Sequence, residues 1–532
     1  MANIIVYGGG FAGVAAAAKA ASKAPSHKIT LISPYADDML GGIGTSGGQN
    51  YWDTMAWPKG RLTAGGTFAY WHGVYPQHYG VSEMSKLLKV DSLGKYDNVS
   101  VYTGYDISAF QVEKNPYRIS SVTAKKIYRD VDGDVKWGKT SVAFGGDVFI
   151  DASDEGRLAR RVNSAVTVGR YDWPSDMLDA SERNSDFVAR QQSATLMFKM
   201  KGVNVKAAGD MNFSQSAKGV WGCWGGIDEY KNPKGPIVEF NNQHAPSGYM
   251  IKPVNAAQDG AGSPQWWLNA FLVFGVDGRA HTRDEGTEFY PTNILAGTKS
   301  TDRAWVDARL FIHRNRAKFE GAMRSYPGFA DASLVYSAGY PEVGQALYVR
   351  ETVHMSMLST SRANGTEDQN YSIGTSACLN AGDSPVSGHD AANHATRVGL
   401  AMYHADIHPY KQSDLMYFSN FLWGAESWTK MRPDRPVTNP VRPQCTVYVP
   451  YSCLTTGYVA NLLIPGYAAG ASSYAWGEVR VFPNLCVLGD AAGIAAAYSV
   501  NKNVMALDIG RSMDHVRAVQ DGLRSVDARL DK

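Results

Sequence analysis

Cysteine is scarce in this chain of 532 residues: five positions, Cys223, Cys378, Cys445, Cys453 and Cys486, with no C-x-x-C among them. An odd number without paired spacing argues against a disulfide framework or a zinc ribbon, so the thiols read as reduced and mostly buried. Net charge is lacking too, since 52 Lys+Arg stand against 50 Asp+Glu for a formal +2. That balance gives no blanket electrostatic reason to bind nucleic acid or an acidic membrane. No run reaches the ~18 unbroken apolar residues of a membrane helix, and the N-terminus carries no basic stretch followed by an apolar one. A strand pattern opens almost at Met1, which leaves an export signal removed upstream open and makes cytoplasmic residence a default expectation.

What is present is the composition of a folded globule, 44% apolar and 19% charged with 11% aromatic residues, which excludes disorder for most of the chain. At ~100–200 residues per domain the length predicts two or three domains. Asn3–Tyr7 is a short β-branched run, Gly8-Gly9-Gly10-Phe11-Ala12-Gly13 a turn, and Val14–Ala21 an alanine-rich helix. A second strand, Lys28–Ile32, follows and stops at Ser33-Pro34. Strand, glycine turn, helix and strand make one dinucleotide-binding half-unit.

Met39–Trp71 is Gly- and Trp-rich without period and reads as a long loop lying along a ligand. Ser120–Ala143 reads as a meander turning at Asp132-Gly133, and Phe149–Ser153 as a buried strand returning to the first sheet. From Val166 to Val343 the texture becomes β-rich, with runs at Ser193–Met200, Pro236–Phe240 and Trp266–Phe274. A helix capped by Ser300 follows there, carrying Trp305, Ala308, Ile312, Phe319 and Met323. A final αβα stretch begins at about Pro440, and Val516, Val519, Leu523, Val526 and Leu530 form a core stripe in the last helix. The expected class is α/β: a Rossmann-like FAD-binding domain in two parts, 1–165 and 344–532, with a β-rich substrate domain, 166–343, inserted between them.

Gly8-x-Gly10-x-x-Gly13 suits a pyrophosphate because bare backbone lets it approach unpaired N–H groups and the positive end of the helix dipole. The acid expected after the second strand for the adenosine ribose is replaced by Ser33, with Asp37 and Asp38 as nearby substitutes. At the other end of the chain, Val481–Val500 reads as an apolar strand, Gly489-Asp490, and a helix of small residues. An aspartate there can hold a ribityl or pyrophosphate-side hydroxyl, and the two ends together signal FAD.

The sequence resembles the FAD-dependent oxidoreductase family often labelled xanthan lyase-like, within the glutathione-reductase-type flavoprotein fold. The resemblance rests on Gly8–Gly13, Met39–Gly48, Val148–Ala159, Tyr348–Thr352, Tyr403–Tyr410, Tyr448–Leu454, Asn461–Gly466 and Arg480–Gly493, in order over nearly the whole chain. It implies FAD contacts from Gly8, Gly10, Phe11, Ala12 and Gly13, from Gly42, Thr45, Ser46 and Gly47, from Ile107, from Ala152, Ser153 and Asp154, and from Gly489, Asp490, Gly493 and Ile494; Ser33, which stands where the family has an acid, is a further candidate contact. The family's arginine pair after Arg350-Glu351-Thr352 is Val353-His354 here. The stretches Asp151–Arg161 and Gly489–Ala492 also echo aromatic-ring flavin hydroxylases, which makes an NAD(P)H-dependent monooxygenase the alternative.

A flavin dehydrogenase needs a base and groups that hold substrate. His404-x-Asp406-x-His408 puts three such side chains on one face of an extended stretch. A structural histidine bonded to Asp406 is as good a reading as a catalytic one, and a metal site a weaker one. Arg350 is either half of a buried pair with Glu351 or an anchor for an anionic or hydroxylated substrate, and His354 is a candidate base. The aromatic loop Tyr70–Tyr79 and Trp221, Trp224, Trp266 and Trp267 are either packing or a stacking surface for a sugar-like or aromatic ring. The expected enzyme is thus an FAD-dependent dehydrogenase or oxidase of a small polar molecule, with hydride transfer to flavin N5 and His-assisted proton removal. No second nucleotide motif is evident, so oxygen, a quinone or another carrier is the expected electron acceptor, and a homo-oligomer stays open.

Overall fold

A computed structural model of the protein describes every residue except 58–59, 163–164, 356–370, 380, 383–384, 386, 405 and 415–445. Cys445 and the expected start of the last stretch at about Pro440 lie outside the described residues. The core sheet is parallel and five-stranded, in the order Leu462–Leu463, Val148–Asp151, Asn3–Tyr7, Lys28–Ser33 and Val99–Thr103. Its register pairs Tyr7 with Ile32 on one side and with Asp151 on the other. The ends of three strands therefore meet beside the glycine turn. Residues Ile4, Ile5, Val6, Phe149 and Ile150 are fully buried, as expected of a parallel sheet covered on both faces.

The helix Phe11–Lys23 packs with the long helix Phe482–Lys502. Small residues permit the close crossing: a Cβ on Gly489 would lie 2.3 Å from the Ala12 carbonyl oxygen, and one on Gly493 2.3 Å from that of Ala16. This corrects the sequence reading of Val481–Val500. The segment before Gly489 is the start of one continuous helix rather than a strand. Pro483 sits in its first turn, where a missing N–H costs nothing, and an apolar run buried on all sides has no period to separate strand from helix.

A three-stranded antiparallel meander, Tyr105–Lys114, Tyr117–Arg129 and Val135–Gly145, lies in the chain between the core strands Val99–Thr103 and Val148–Asp151, with its second turn at Asp130–Asp134. A second large sheet is antiparallel, ordered Asn212–Gln215, Trp221–Gly225, Tyr249–Gln258, Gln265–Val273, Phe198–Lys201 and Ser333–Leu334. Pro236–Phe240, expected as a strand, belongs instead to the helix Pro236–His244. Gly235 precedes Pro236 at its start, and Ile237, Phe240, Asn241 and His244 are buried at helical spacing. The helix capped by Ser300 ends at Arg314, and a second helix, Arg316–Met323, carries Phe319 and Met323. Part of the expected aromatic loop is also helical, over Gly66–Val74. The last helix, Met513–Arg524, buries Val516, Val519 and Leu523. No single helix among the described residues is long and apolar enough to cross a membrane.

Candidate active site and cofactor cradle

The glycine turn joins the first strand to the helix Phe11–Lys23, and its glycines have different jobs. Gly8 adopts φ +116°, and a Cβ there would lie 2.4 Å from the Ala152 carbonyl oxygen. A Cβ on Gly13 would lie 1.8 Å from the oxygen of Gly8, so both residues let backbone meet backbone. Gly10 differs, because a Cβ there would meet nothing within 4 Å. It stands at the helix N-terminus with no side-chain cap, where the first N–H groups have no partner within the helix.

Gly10, Phe11 and Ala12 line a narrow cavity of about 20 Å³ with Tyr35, Gly41, Ala152 and Asp154. Gly41 is held by a 2.8 Å hydrogen bond from its N–H to the Gly9 carbonyl. Gly42 turns at φ +60° at the start of a short 3-10 turn, where a Cβ would press on the Tyr35 hydroxyl at 2.6 Å. The Thr45 hydroxyl donates to the Leu40 carbonyl at 2.8 Å and that of Ser46 to Asp37 at 3.0 Å, so both brace this loop. Gly47 packs on Ile43, where a Cβ would sit 2.7 Å from its Cα.

Next to this cavity lies one of about 110 Å³, shared through Tyr35 and Asp154 and walled further by Ser153, Glu155, Arg129, His281 and Trp305. The Tyr35 hydroxyl donates to the Asp154 carboxylate, and burial raises that carboxyl to about 6. Ser153 donates to Asp151, whose other oxygen accepts the N–H groups of Leu158 and Ala159 at 2.8 and 2.9 Å. Ser33 is fully buried and its Oγ has no hydrogen-bond partner among the described residues. The proposed substitutes for the missing acid are engaged elsewhere: Asp37 accepts from Ser46 and Met39, and Asp38 faces solvent beside Lys89 at 3.4 Å. Ile107 lines none of the described cavities; its N–H donates to Asp106 and its carbonyl accepts from Arg157.

The second cofactor motif is placed differently from its sequence reading. Asp490 lies mid-helix, and its carboxylate accepts the N–H of Thr67 at 2.8 Å as well as the Thr67 hydroxyl. Gly489 and Gly493 serve the crossing with the first helix, and Ile494 is buried in the same core. None of these four lines a described cavity. From this helix Phe482 and Leu485 reach the narrow cavity instead.

The largest described cavity, about 570 Å³, lies between the antiparallel sheet and the core. His404, His408 and Arg350 all line it, with Asp53, Lys252, Asp406 and Arg480. Arg480 pairs with Asp406 at 2.7 Å and holds its carboxyl far below the usual range against the pull of burial. His408 Nε2 lies 3.5 Å from the other Asp406 oxygen. Burial pushes the imidazoles of His404 and His408 below their ordinary value, so both are neutral at pH 7. Burial also raises Asp53, which accepts from Tyr403 at 3.1 Å, to about 6. Among the described residues no His, Cys, Asp and Glu group of three or more is arranged for a metal ion.

Arg350 and Glu351 do not pair with each other. Arg350 faces the cavity, while Glu351 accepts from Ser473 and lies 3.0 Å from His354 Nε2. His354 is fully buried and outside the cavity wall, because its strand, Val353–Met355, pairs with Val166–Val168 behind it. The base expected there is thus displaced to a structural pair with Glu351. Of the aromatics, Trp224 lines the cavity, whereas Trp71 and Trp266 are core. His78, beyond the helix Gly66–Val74, also reaches the cavity.

Lys252, Asp53 and Arg480 escaped the reading of the sequence. Lys252 alone had a local signal, a lysine within the otherwise mostly apolar strand Tyr249–Gln258. The other two are brought to the cavity from positions more than 400 residues apart, which no local pattern records.

A family model for FAD dependent oxidoreductases matches residues 3–523. No curated protein matches the chain. Among solved structures, the chain is similar to the myxobacterial chondrochloren halogenase CndH, at 12% identity over 51% of this chain and 52% of that one, with TM-score 0.25. The flavin-dependent halogenase CmlS matches at 12% identity over 99% of this chain and 62% of its own, with TM-score 0.35. A p-nitrophenol 4-monooxygenase from Pseudomonas putida matches at 9% identity over 67% and 69%, with TM-score 0.29. The chain thus spans less than two thirds of the length of either halogenase, and at such TM-scores these likenesses carry no weight of their own. The family match over nearly the whole chain does: this protein belongs to the FAD-dependent oxidoreductase family and is an FAD-dependent enzyme with a mixed α/β flavoprotein fold.

Proposed function

We propose that the protein is a dehydrogenase or oxidase of a small polar organic molecule, of the glutathione-reductase type, with FAD held by 1–165 and 344–532 and substrate bound against 166–343. The residues present fit the cofactor. Gly10 leaves open space where a Cβ would stand, the uncapped helix N-terminus offers N–H groups for a pyrophosphate, and the buried Ser33 hydroxyl lacks a partner among the described residues. In this reading Gly10, Phe11, Ala12, Gly41, Ala152 and Asp154 hold FAD, with Ser33 toward the adenosine end. Bound FAD supplies the two-electron acceptor.

The observation that carries the substrate reading is the cavity of about 570 Å³ in which a neutral His404 stands near Asp406 and Arg480. A neutral imidazole can take the proton of a substrate hydroxyl, and a base held near operating pH is the efficient one. Asp406, kept ionised by Arg480, favours the imidazolium that results. Tyr403, its ring 4.0 Å from that of His404, fixes the imidazole from one side.

The test is anaerobic mixing of the FAD-loaded protein with a panel of polyols, sugars and hydroxy acids, and separately with NADPH, read by flavin absorbance. Bleaching by a panel member without NADPH is expected. Rapid bleaching by NADPH alone, with hydroxylation of an arene on admitting oxygen, overturns this reading in favour of a monooxygenase.

A further inference from the structure

The charges around the large cavity do not balance. Among the described wall residues Lys252, Arg350 and Arg480 face two carboxylates, Asp53 and Asp406. Asp406 is engaged by Arg480 at 2.7 Å, and Asp53 accepts from Tyr403. Lys252 and Arg350 have no carboxylate within ion-pair distance among the described residues. The Lys252 ammonium makes one long contact, 3.4 Å to the Pro253 carbonyl. Arg350 donates to the Thr195 hydroxyl at 2.8 Å, the Ser193 carbonyl at 3.2 Å and Asn269 Oδ1 at 3.4 Å and lies 4.5 Å over the Tyr348 ring, all of them neutral groups, and its Nε has no partner among the described residues. Both side chains are almost wholly buried, at 5% and 1% exposure. An unpaired buried cation is expensive, and two of them at one wall call for an anion.

The backbone is shaped to present Lys252. Ile251 stands opposite Phe271 and Asn255 opposite Asn269, so residues 252–254 bulge out of register with the neighbouring strand. The Asn241 side chain fixes the bulge by hydrogen bonds to both the N–H and the carbonyl of Ile251, at 2.7 and 2.8 Å. The Tyr326 hydroxyl holds the Lys252 carbonyl at 2.9 Å. A bulge beside a cavity commonly re-aims a side chain.

We infer that Lys252 and Arg350 form an anion-binding pair, so that the substrate carries a carboxylate, a hydroxy or sugar acid in place of a neutral sugar or arene. This rests on the proposed oxidation of a polar substrate in the same cavity and narrows its class. Burial, with Arg350 nearby, pushes Lys252 down to about 7, as expected of an ammonium awaiting a counter-ion. Lys252 and Arg350 would hold the carboxylate while His404 meets the hydroxyl; Arg480 stays with Asp406.

The test uses the FAD-loaded protein with D-glucuronate, its methyl ester and D-glucose as probes, read by flavin difference absorbance and thermal shift without turnover. Glucuronate is expected to bind at least tenfold more tightly than the ester or glucose and to raise Tm. Lys252→Met and Arg350→Gln should each weaken glucuronate at least tenfold and lower the preference for glucuronate over its methyl ester at least tenfold. Lys252→Met should also raise Tm in the absence of probe, because it removes an uncompensated buried charge; a fall would mark Lys252 as the partner of an acid and overturn the inference. Equal binding of acid and ester, or unchanged glucuronate binding in both variants, overturns it as well. Flavin reduction by neutral substrates alone would sink the anion pair and leave the dehydrogenase reading standing. Tight glucuronate binding with reduction only by NADPH would do the reverse.

Discussion

Arg157 and Asp284, 127 residues apart in sequence, meet through two hydrogen bonds of 2.6 and 2.8 Å with both side chains buried. Arg157 also donates to the Ile107 carbonyl and lies 3.3 Å from Asp106. One guanidinium thus ties the turn after Asp151 to the meander and to the segment between the strands Gln265–Val273 and Ser333–Leu334 of the antiparallel sheet. Removing one partner of such a buried set costs about 3–5 kcal/mol, because the carboxylates left behind keep their burial. Arg157→Met should therefore lose several kcal/mol in urea unfolding; a loss below about 1 kcal/mol would mean solvent reaches these acids.

Gly10 and Gly13 separate folding from cofactor retention. A side chain at Gly10 meets open space, and its backbone, at φ −73°, is ordinary for any residue. Gly10→Val should fold with near-normal circular dichroism yet purify colourless, whereas Gly13→Val, colliding with the Gly8 carbonyl, should lose both FAD and thermal stability. A Gly10→Val protein that stays fully yellow would show that the cofactor does not use this space.

His404→Ala should leave FAD bound and slow its reduction by substrate roughly 10²–10⁴-fold, the usual worth of a positioned base. Stopped-flow absorbance decides the matter. Unchanged reduction kinetics would make His404 structural and pass the base role to His408, whose ring lines the same cavity.

Glu478 gives the protein a pH-dependent weakness. Burial raises its carboxyl from 4.5 to about 8, and its Oε1 has no hydrogen-bond partner among the described residues. Between those two values the folded form keeps a proton that the unfolded form has released, so stability falls as pH rises from 4.5 through 8 and is level above. Glu478→Gln should match the wild type at pH 4 and gain on it progressively up to pH 8 in thermal unfolding. Parallel curves would show Glu478 to be ionised in the folded protein.

Much of the cofactor side was legible because it is local. Strand, glycine turn, helix and second strand fall within the first 33 residues; Gly8 and Gly13 answer contacts made within that unit or with the segment after its neighbouring strand, and Gly10 leaves open space at the helix N-terminus. The same logic failed at Val481–Val500, where the glycines and Asp490 resemble a cofactor turn but lie within a buried helix, serving its crossing with Phe11–Lys23 and a bond to Thr67. Uniform burial erases the periodicity that tells a strand from a helix.

The substrate side shows the division more sharply. The His404-x-Asp406-x-His408 spacing placed three polar side chains on one face, with a structural and a catalytic reading of equal standing, and Arg350 was singled out next to Glu351. Which neighbour each charge faces was decided only in three dimensions: Arg480 for Asp406, His354 for Glu351, and the cavity for Arg350 and Lys252. Spacing along the chain determines which side chains share a face. Charge compensation is a property of distance in space, and here the partners come from segments hundreds of residues apart.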